Sequence, residues 1–152
     1  MSSRTVDDSR VFMTEIVLPE DTNPRGTIFG GRVLALVDKC AAVAAMRHAR
    51  GQVLTVSMDS VVFHNSVLLG EVLVLEGWIN AVFRSSMEVE VEVRSEELET
   101  GSRRLTTRAF VTMVAVDAAG RPVAVPALVT RDDAERLRTS QAAERRRTRL
   151  AR

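Results

Sequence analysis

One cysteine and two histidines leave this 152-residue chain with little of the side-chain chemistry on which metalloenzymes and many hydrolases rely. Structural zinc takes four ligands and catalytic zinc usually three, so Cys40, His48 and His64, scattered along the sequence, predict no metal site. A lone cysteine forms no intrachain disulfide, which fits a reducing cytoplasm and makes Cys40 a small core residue. No Gly-x-Ser-x-Gly elbow is there to hold a serine nucleophile. Neither a Walker loop nor a Gly-x-Gly-x-x-Gly turn occurs, so nucleoside triphosphates and dinucleotides lack their usual phosphate cradle. No apolar run reaches the length of about 18 residues that a membrane span needs. The polar opening Ser2-Ser3-Arg4 has no apolar signal core. A cytoplasmic protein without membrane contact is expected.

What is present is ordinary in amount and uneven in placement. Apolar residues make up 45% of the chain, a share typical of globular proteins. The length suffices for one core and hardly for two. Net charge is +1, yet residues 131–152 hold eight arginines against four acids, leaving −3 for the first 130. The run Glu144-Arg145-Arg146-Arg147-Thr148-Arg149 offers no apolar face and predicts a solvated helix or tail. It also lacks aromatic residues that could stack on bases, so no nucleic-acid partner is expected.

Along the chain, residues 1–10 read as a loose arm, 11–130 as the domain and 131–152 as the Arg-rich tail, with Thr130 as N-cap of its helix and Asp133 three residues on. Val11 to Leu18 is a strand stopped by Pro19. A helix follows the next loop and closes near Arg50-Gly51, with Gly51 as its C-terminal cap. Gln52 to Phe63, Glu71 to Val82, Met87 to Arg94 and Leu105 to Val116 are strands, with a short return from Pro122 to Leu128. In the third of these, Met87, Val89, Val91 and Val93 alternate with Glu88, Glu90, Glu92 and Arg94, which predicts one buried face and one in water. One long helix with consecutive strands means α+β with an antiparallel sheet of five to six strands, since parallel strands need crossover helices. A single helix cannot cover such a sheet, so association through the sheet is expected.

The most informative stretch is Asp21 to Met46. Asn23, Pro24, Gly26 and Gly30 crowd turn-forming residues into a short loop. The helix after Gly31 is apolar nearly all round, the mark of a buried helix. Asp38 is the exception. Its neighbours one turn away, Leu34, Ala35, Ala41 and Ala42, are all apolar, and it lies about 10 Å beyond the helix start, too far for capping. Asp38 pairs with a cation such as Lys39 or Arg47, or it faces a substrate.

Asn23-Pro24-Arg25-Gly26, then Phe29-Gly30-Gly31, then Asp38, resembles the hot-dog-fold acyl-CoA thioesterases, in particular the broad-specificity cytosolic acyl-CoA hydrolases. The resemblance runs through Val53 to Glu71 and fades after about Val125. It implies a long central helix wrapped by a curved antiparallel sheet. It also implies acyl-CoA as substrate, with no cofactor because coenzyme A is part of substrate and product. Active sites lie between two subunits in that family, with the matching asparagine and aspartate from opposite chains. Self-association as a dimer, and as a trimer of dimers, follows from the same resemblance. Arg84-Ser85-Ser86, otherwise a turn, corresponds to residues beside the coenzyme A phosphates, and Gly30 and Phe63 join that binding set. Ser66 and Val62 depart from the family's usual proline and polar residue, and so bear on acyl-chain preference.

The residues themselves suit thioester hydrolysis. Backbone N–H groups at Gly30 and Gly31 can approach and polarise a carbonyl, since neither residue has a Cβ. Asp38 in apolar surroundings makes a strong general base, or a nucleophile, and the Asn23 amide can orient water or thioester. His48 and His64 are expected at the surface. A hot-dog dehydratase usually uses a histidine near the helix start, and none occurs before Arg47. A non-catalytic acyl-CoA-sensing module is the remaining alternative; the presence of both Asn23 and Asp38 argues against it.

Overall fold

The structure, a computed structural model, describes residues 2–152. Helix α1, Gly30–Ala49, is built of good helix formers, Ala, Leu and Met among them. It follows a short strand β1, Arg4–Thr5, a second strand β2, Val11–Ile16, and a 3-10 turn at Pro19–Asp21. The left-handed residue that closes α1 is Arg50 (φ 58°), not the expected Gly51, and its N–H donates to Met46 O. The turn has no room to run further, because Gln52 already pairs with Val116.

Four long strands follow: β3 (Gln52–Phe63), β4 (Val72–Val82), β5 (Ser86–Glu96) and β6 (Arg103–Val116). With β2 they make one five-stranded antiparallel sheet in the order β2-β4-β5-β6-β3. The expected return over 122–128 is no strand of this sheet. Pro122 makes one bridge to Val116, and Leu128–Val129 forms β7, paired in parallel with Arg4–Thr5. Residues 4–9 are therefore not a loose arm: Val6 and Ser9 are buried, and the Arg4 Nε donates to His48 O.

Helix α1 lies on one face of the sheet and touches all five strands. Val33, Leu36, Val37, Cys40, Ala41, Ala44 and Ala45 meet the inward residues of the strands, Leu73, Leu75, Met87, Val89, Val91 and Val111 among them. At Gly77 the helix comes so near that an added Cβ would sit 2.8 Å from Cys40 Sγ. The helix is not buried all round, however. Gly31, Ala35 and Met46 are exposed and Asp38 and Ala42 half-buried, a stripe at helical spacing that the single chain leaves open.

The opposite face of the sheet also departs from expectation. Glu88 and Glu90 are only 3% and 7% exposed. Helix α2, Asp133–Leu150, covers them instead of standing in solvent. Its N-cap is Asp132, whose carboxylate accepts from Glu135 N, rather than Thr130. The tail docks through charge and not through an apolar face, which is why hydrophobic patterning gave no sign of it. Arg145 makes two hydrogen bonds to Glu88 (2.8 and 2.7 Å) while its guanidinium stacks over Phe110. Asn80 donates to both Glu88 and Glu90 and accepts from Trp78 Nε1. Thr139 Oγ1 donates to Asn80 O, Arg149 pairs with Asp59, and Ala142 is the one buried α2 residue.

Removing one partner of a buried pair strands the other charge. Arg145→Ala should therefore cost about 3 kcal/mol in urea unfolding, at the low end for such pairs because the guanidinium keeps a quarter of its surface. Glu90 gives a pH-dependent counterpart. Burial pushes its carboxyl above the usual range, against the pull of Asn80 and Arg108. A raised folded value means its favourable contribution is complete below the unfolded value and is lost as pH rises through the folded one. Glu90→Gln should match the parent's stability near pH 4 and exceed it at pH 7, as read from unfolding midpoints at the two pH values.

Candidate active site

The loop before α1 is organised by Asn23. Its Oδ1 accepts from the N–H groups of Arg25 and Thr27, and its Nδ2 donates to Thr27 Oγ1 (2.8 Å). Asn23 O accepts from Gly26 N, and Gly26 takes φ +79°, a conformation open to glycine. The amide thus builds the loop first and leaves one N–H hydrogen free for a ligand.

The loop delivers the start of α1 with its first donors unused. The helix N-cap is Phe29, which makes no side-chain cap, and among the described residues nothing accepts from the N–H of Gly30 or Gly31. These are the orphan donors of a helix start, aligned with the positive end of its dipole. An added Cβ at Gly31 would meet nothing within 4 Å, whereas one at Gly30 would lie 3.4 Å from the Phe63 ring. Phe63, 47% exposed, and Gly30 line a cavity of about 380 Å³ with Val33, His64, Ser66 and Val67. Ser66, one of the departures noted above, is thus a wall of the space beside the helix start.

Asp38 sits half-buried on the open stripe of α1, and among the described residues it makes no ion pair with Lys39, Arg47 or any other cation. Its partner is Thr55, which the sequence reading missed. Thr55 Oγ1 donates to Asp38 Oδ1 at 2.6 Å from strand β3. Thr55 stands opposite Met113 on the inward face. A hydroxyl at an inward position of a strand beside a lone helix acid was the signal available for it.

Arg84-Ser85-Ser86 forms the turn between β4 and β5, closed by Phe83 N to Ser86 O. Arg84 is exposed and borders a second cavity, about 480 Å³, with Phe83, Val125, Leu128, Arg136 and Thr139. The backbone carbonyls of Arg84 and Ser85 accept from Val125 N and Ala115 N. Of the two histidines, His64 is exposed as expected, while His48 is fully buried. His48 lies on the inward side of α1's last turn, where Pro126 takes its ring N–H, so helix position and not chain position decides its burial. Cys40 is buried and its thiol is pushed up to about 12, chiefly by burial, which leaves it unreactive. Among the described residues no group of three or more His, Cys, Asp or Glu could hold a metal ion, and no helix is long and apolar enough to cross a membrane.

One chain brings Gly30 and Phe63 together and pairs Asp38 with Thr55. Arg84 lies in a cavity that neither pair shares, and no hydrogen bond joins Asn23 to Asp38 among the described residues.

Residues 25–102, about half of the chain, match the thioesterase superfamily. A Bacillus subtilis protein described as an uncharacterized acyl-CoA thioester hydrolase is 39% identical over 143 residues, 94% of this chain and 83% of its own. The crystal structure of an apo-hexameric acyl-CoA thioesterase shares 46% identity with a TM-score of 0.95, over 99% of this chain and 97% of that one. The Staphylococcus aureus acyl-CoA hydrolase solved with butyryl coenzyme A, coenzyme A and coenzyme A disulfide shares 35%, with a TM-score of 0.90, over 97% and 90%. Variants of that hydrolase carry alanine for an asparagine, an aspartate and a threonine spaced fifteen and then seventeen residues apart, the spacing of Asn23, Asp38 and Thr55. The mammalian acyl-coenzyme A thioesterases that match are longer proteins, of which this chain spans only 24% to 36%. By its match over half its length and its 39% identity to a relative aligned over most of both chains, the protein belongs to the thioesterase superfamily.

Proposed function

We infer that the chain is an acyl-CoA thioesterase, hydrolysing acyl-CoA thioesters to free coenzyme A and a carboxylic acid. The observation that carries the reading is Asp38, a carboxylate without a cation, held by Thr55 on an open helix stripe in a chain whose relatives are acyl-CoA hydrolases. The Thr55 hydroxyl occupies Oδ1 and leaves Oδ2 without a hydrogen-bond partner among the described residues. That oxygen draws the proton from an attacking water, or itself attacks the thioester carbon to give a mixed anhydride that water then cleaves to the acid and the free Asp38 carboxylate. As the carbonyl oxygen gains charge, the free N–H groups of Gly30 and Gly31 stabilise it. The spare amide hydrogen of Asn23 orients water or thioester. Collapse of the tetrahedral species expels the coenzyme A thiolate, and no cofactor is required. The cavity beside Arg84 is of a size to take the nucleotide end of coenzyme A, with Arg84 and the Ser85 and Ser86 donors on its phosphates. Release of thiol from acyl-CoA esters of several chain lengths tests the activity. No release from any of them would leave a non-catalytic acyl-CoA-binding module.

A second copy completes the site. The open stripe Gly31-Ala35-Asp38-Ala42-Met46 and the edge strand β3, with Leu54, Val56 and Val62 exposed, are apolar surfaces a lone chain leaves in water. We propose a dimer that covers both and sets Asn23 of one chain against Asp38 of the other, three dimers making a hexamer. A reducing cytoplasm suits the free Cys40.

Asp38→Ala should lose about 10²-fold or more in kcat, the scale of a positioned base. Asn23→Ala should also be inactive, with its fold checked by circular dichroism because its amide builds the loop. Mixing the two variants should restore activity to about a quarter of the parent once subunits reassort at random, since half the dimers then carry one undamaged site. Complete exchange by native mass spectrometry without recovery would reject the shared site and leave the hydrolase reading standing. Arg84→Ala should raise KM more than it lowers kcat, because a phosphate contact acts equally on ground and transition states. It should also flatten the salt dependence of KM, and an unchanged KM and salt slope would refute the phosphate contact.

A further inference from the structure

The C-terminal end of α1 holds a histidine that no step above uses. His48 is 0% exposed, and its Nε2 lies 2.7 Å from Pro126 O. A carbonyl oxygen only accepts, so Nε2 carries the proton and Nδ1, buried with no partner among the described residues, is the bare nitrogen. Burial also holds the ring below the usual histidine range, so it is neutral at pH 7. Arg4 on β1 locks the same helix end through its Nε bond to His48 O (2.8 Å).

Pro126 belongs to the extended strap, residues 122–130, that leads from the sheet towards α2. One residue earlier in the strap, Val125 N–H donates to Arg84 O at 3.0 Å. Val125, Ala127 and Leu128 of the strap line the cavity that Arg84 borders. A continuous path therefore runs from the His48 ring through Pro126 and Val125 to the Arg84 backbone. Among the described residues the strap has no ladder beyond the Pro122 bridge and the two-residue β7 pairing, so single hydrogen bonds weigh heavily in fixing it.

We propose that His48 is a positioning residue for coenzyme A binding: its Nε2–H holds the strap, and the strap holds the Arg84 turn in register with the substrate's phosphates. The inference rests on the reading of Arg84 as the phosphate contact. A histidine that merely filled space under the helix end would affect stability but would not distinguish substrates with a nucleotide from those without one.

That difference is the test. His48→Leu fills the space and removes the donor, whereas His48→Gln offers a side-chain N–H close to the position of Nε2. Each is assayed with a short-chain acyl-CoA and with the matching acyl-pantetheine thioester, which lacks the nucleotide. His48→Leu should raise KM for acyl-CoA about five- to tenfold with kcat within about twofold, and leave KM for acyl-pantetheine unchanged. His48→Gln should restore the parent KM. An unchanged KM in folded His48→Leu, equal losses on both thioesters, or no rescue by His48→Gln would overturn the proposal. A His48→Leu chain that cannot fold would overturn it too, by making the residue a structural one. Arg84→Ala run in parallel separates the two failures. If it raises KM and His48→Leu does not, only this inference falls; if it leaves KM unchanged, the phosphate reading falls and takes the inference with it.

Discussion

The seat of α1 on β4 governs the rest of the molecule. At Gly77 the strand has no side chain, and Cys40 fills the space so closely that a methyl group there would lie 2.8 Å from its sulfur. Interiors this dense do not yield to an added carbon without moving a neighbour. The depth of the helix is therefore set at Cys40, two residues beyond Asp38. With that depth fixed, the acid comes within reach of the Thr55 hydroxyl on β3, and the open stripe stands clear of the sheet.

A sheet with one long helix has a second face to cover, and here charge covers it. Glu88 and Glu90 would be strongly destabilising as isolated buried acids. Arg145, Asn80 and Arg108 meet them, and the aromatic faces of Trp78, Phe83 and Phe110 carry the guanidinium groups of Arg138, Arg146 and Arg145. Arginine suits this place because its planar group stacks and donates at once. The tail that looks from composition like a solvated basic run is the lid of the outer face. Its arginines are largely engaged with carboxylates and aromatic rings.

The open surfaces follow from the same geometry. Helix α1 covers the inner face and α2 part of the outer face, while the outward stripe of α1 around Asp38 and Leu54, Val56 and Val62 of β3 stay uncovered. The candidate acid thus lies on a stripe that the single chain leaves uncovered.

Much was legible in the sequence because local pattern decided it. The alternation from Met87 to Arg94, the run from Gln52 to Phe63 and the Gly-rich entry to an apolar helix each depend on neighbours a few residues away, and each element formed where that pattern placed it. Asp38 stood out for the same reason, as one charge among apolar neighbours. What the sequence could not decide were contacts between residues far apart in the chain. Thr55 reaches Asp38 across 17 positions, Arg145 reaches Glu88 across 57, and His48 meets Pro126 across 78. Periodicity marks which side of an element faces inward, but it does not say which distant group will stand opposite. The one-dimensional pattern therefore determined the long elements and singled out the acid. Only the folded chain decided that the acid has a hydroxyl partner, that the glutamates are buried and that the histidine is locked away from water.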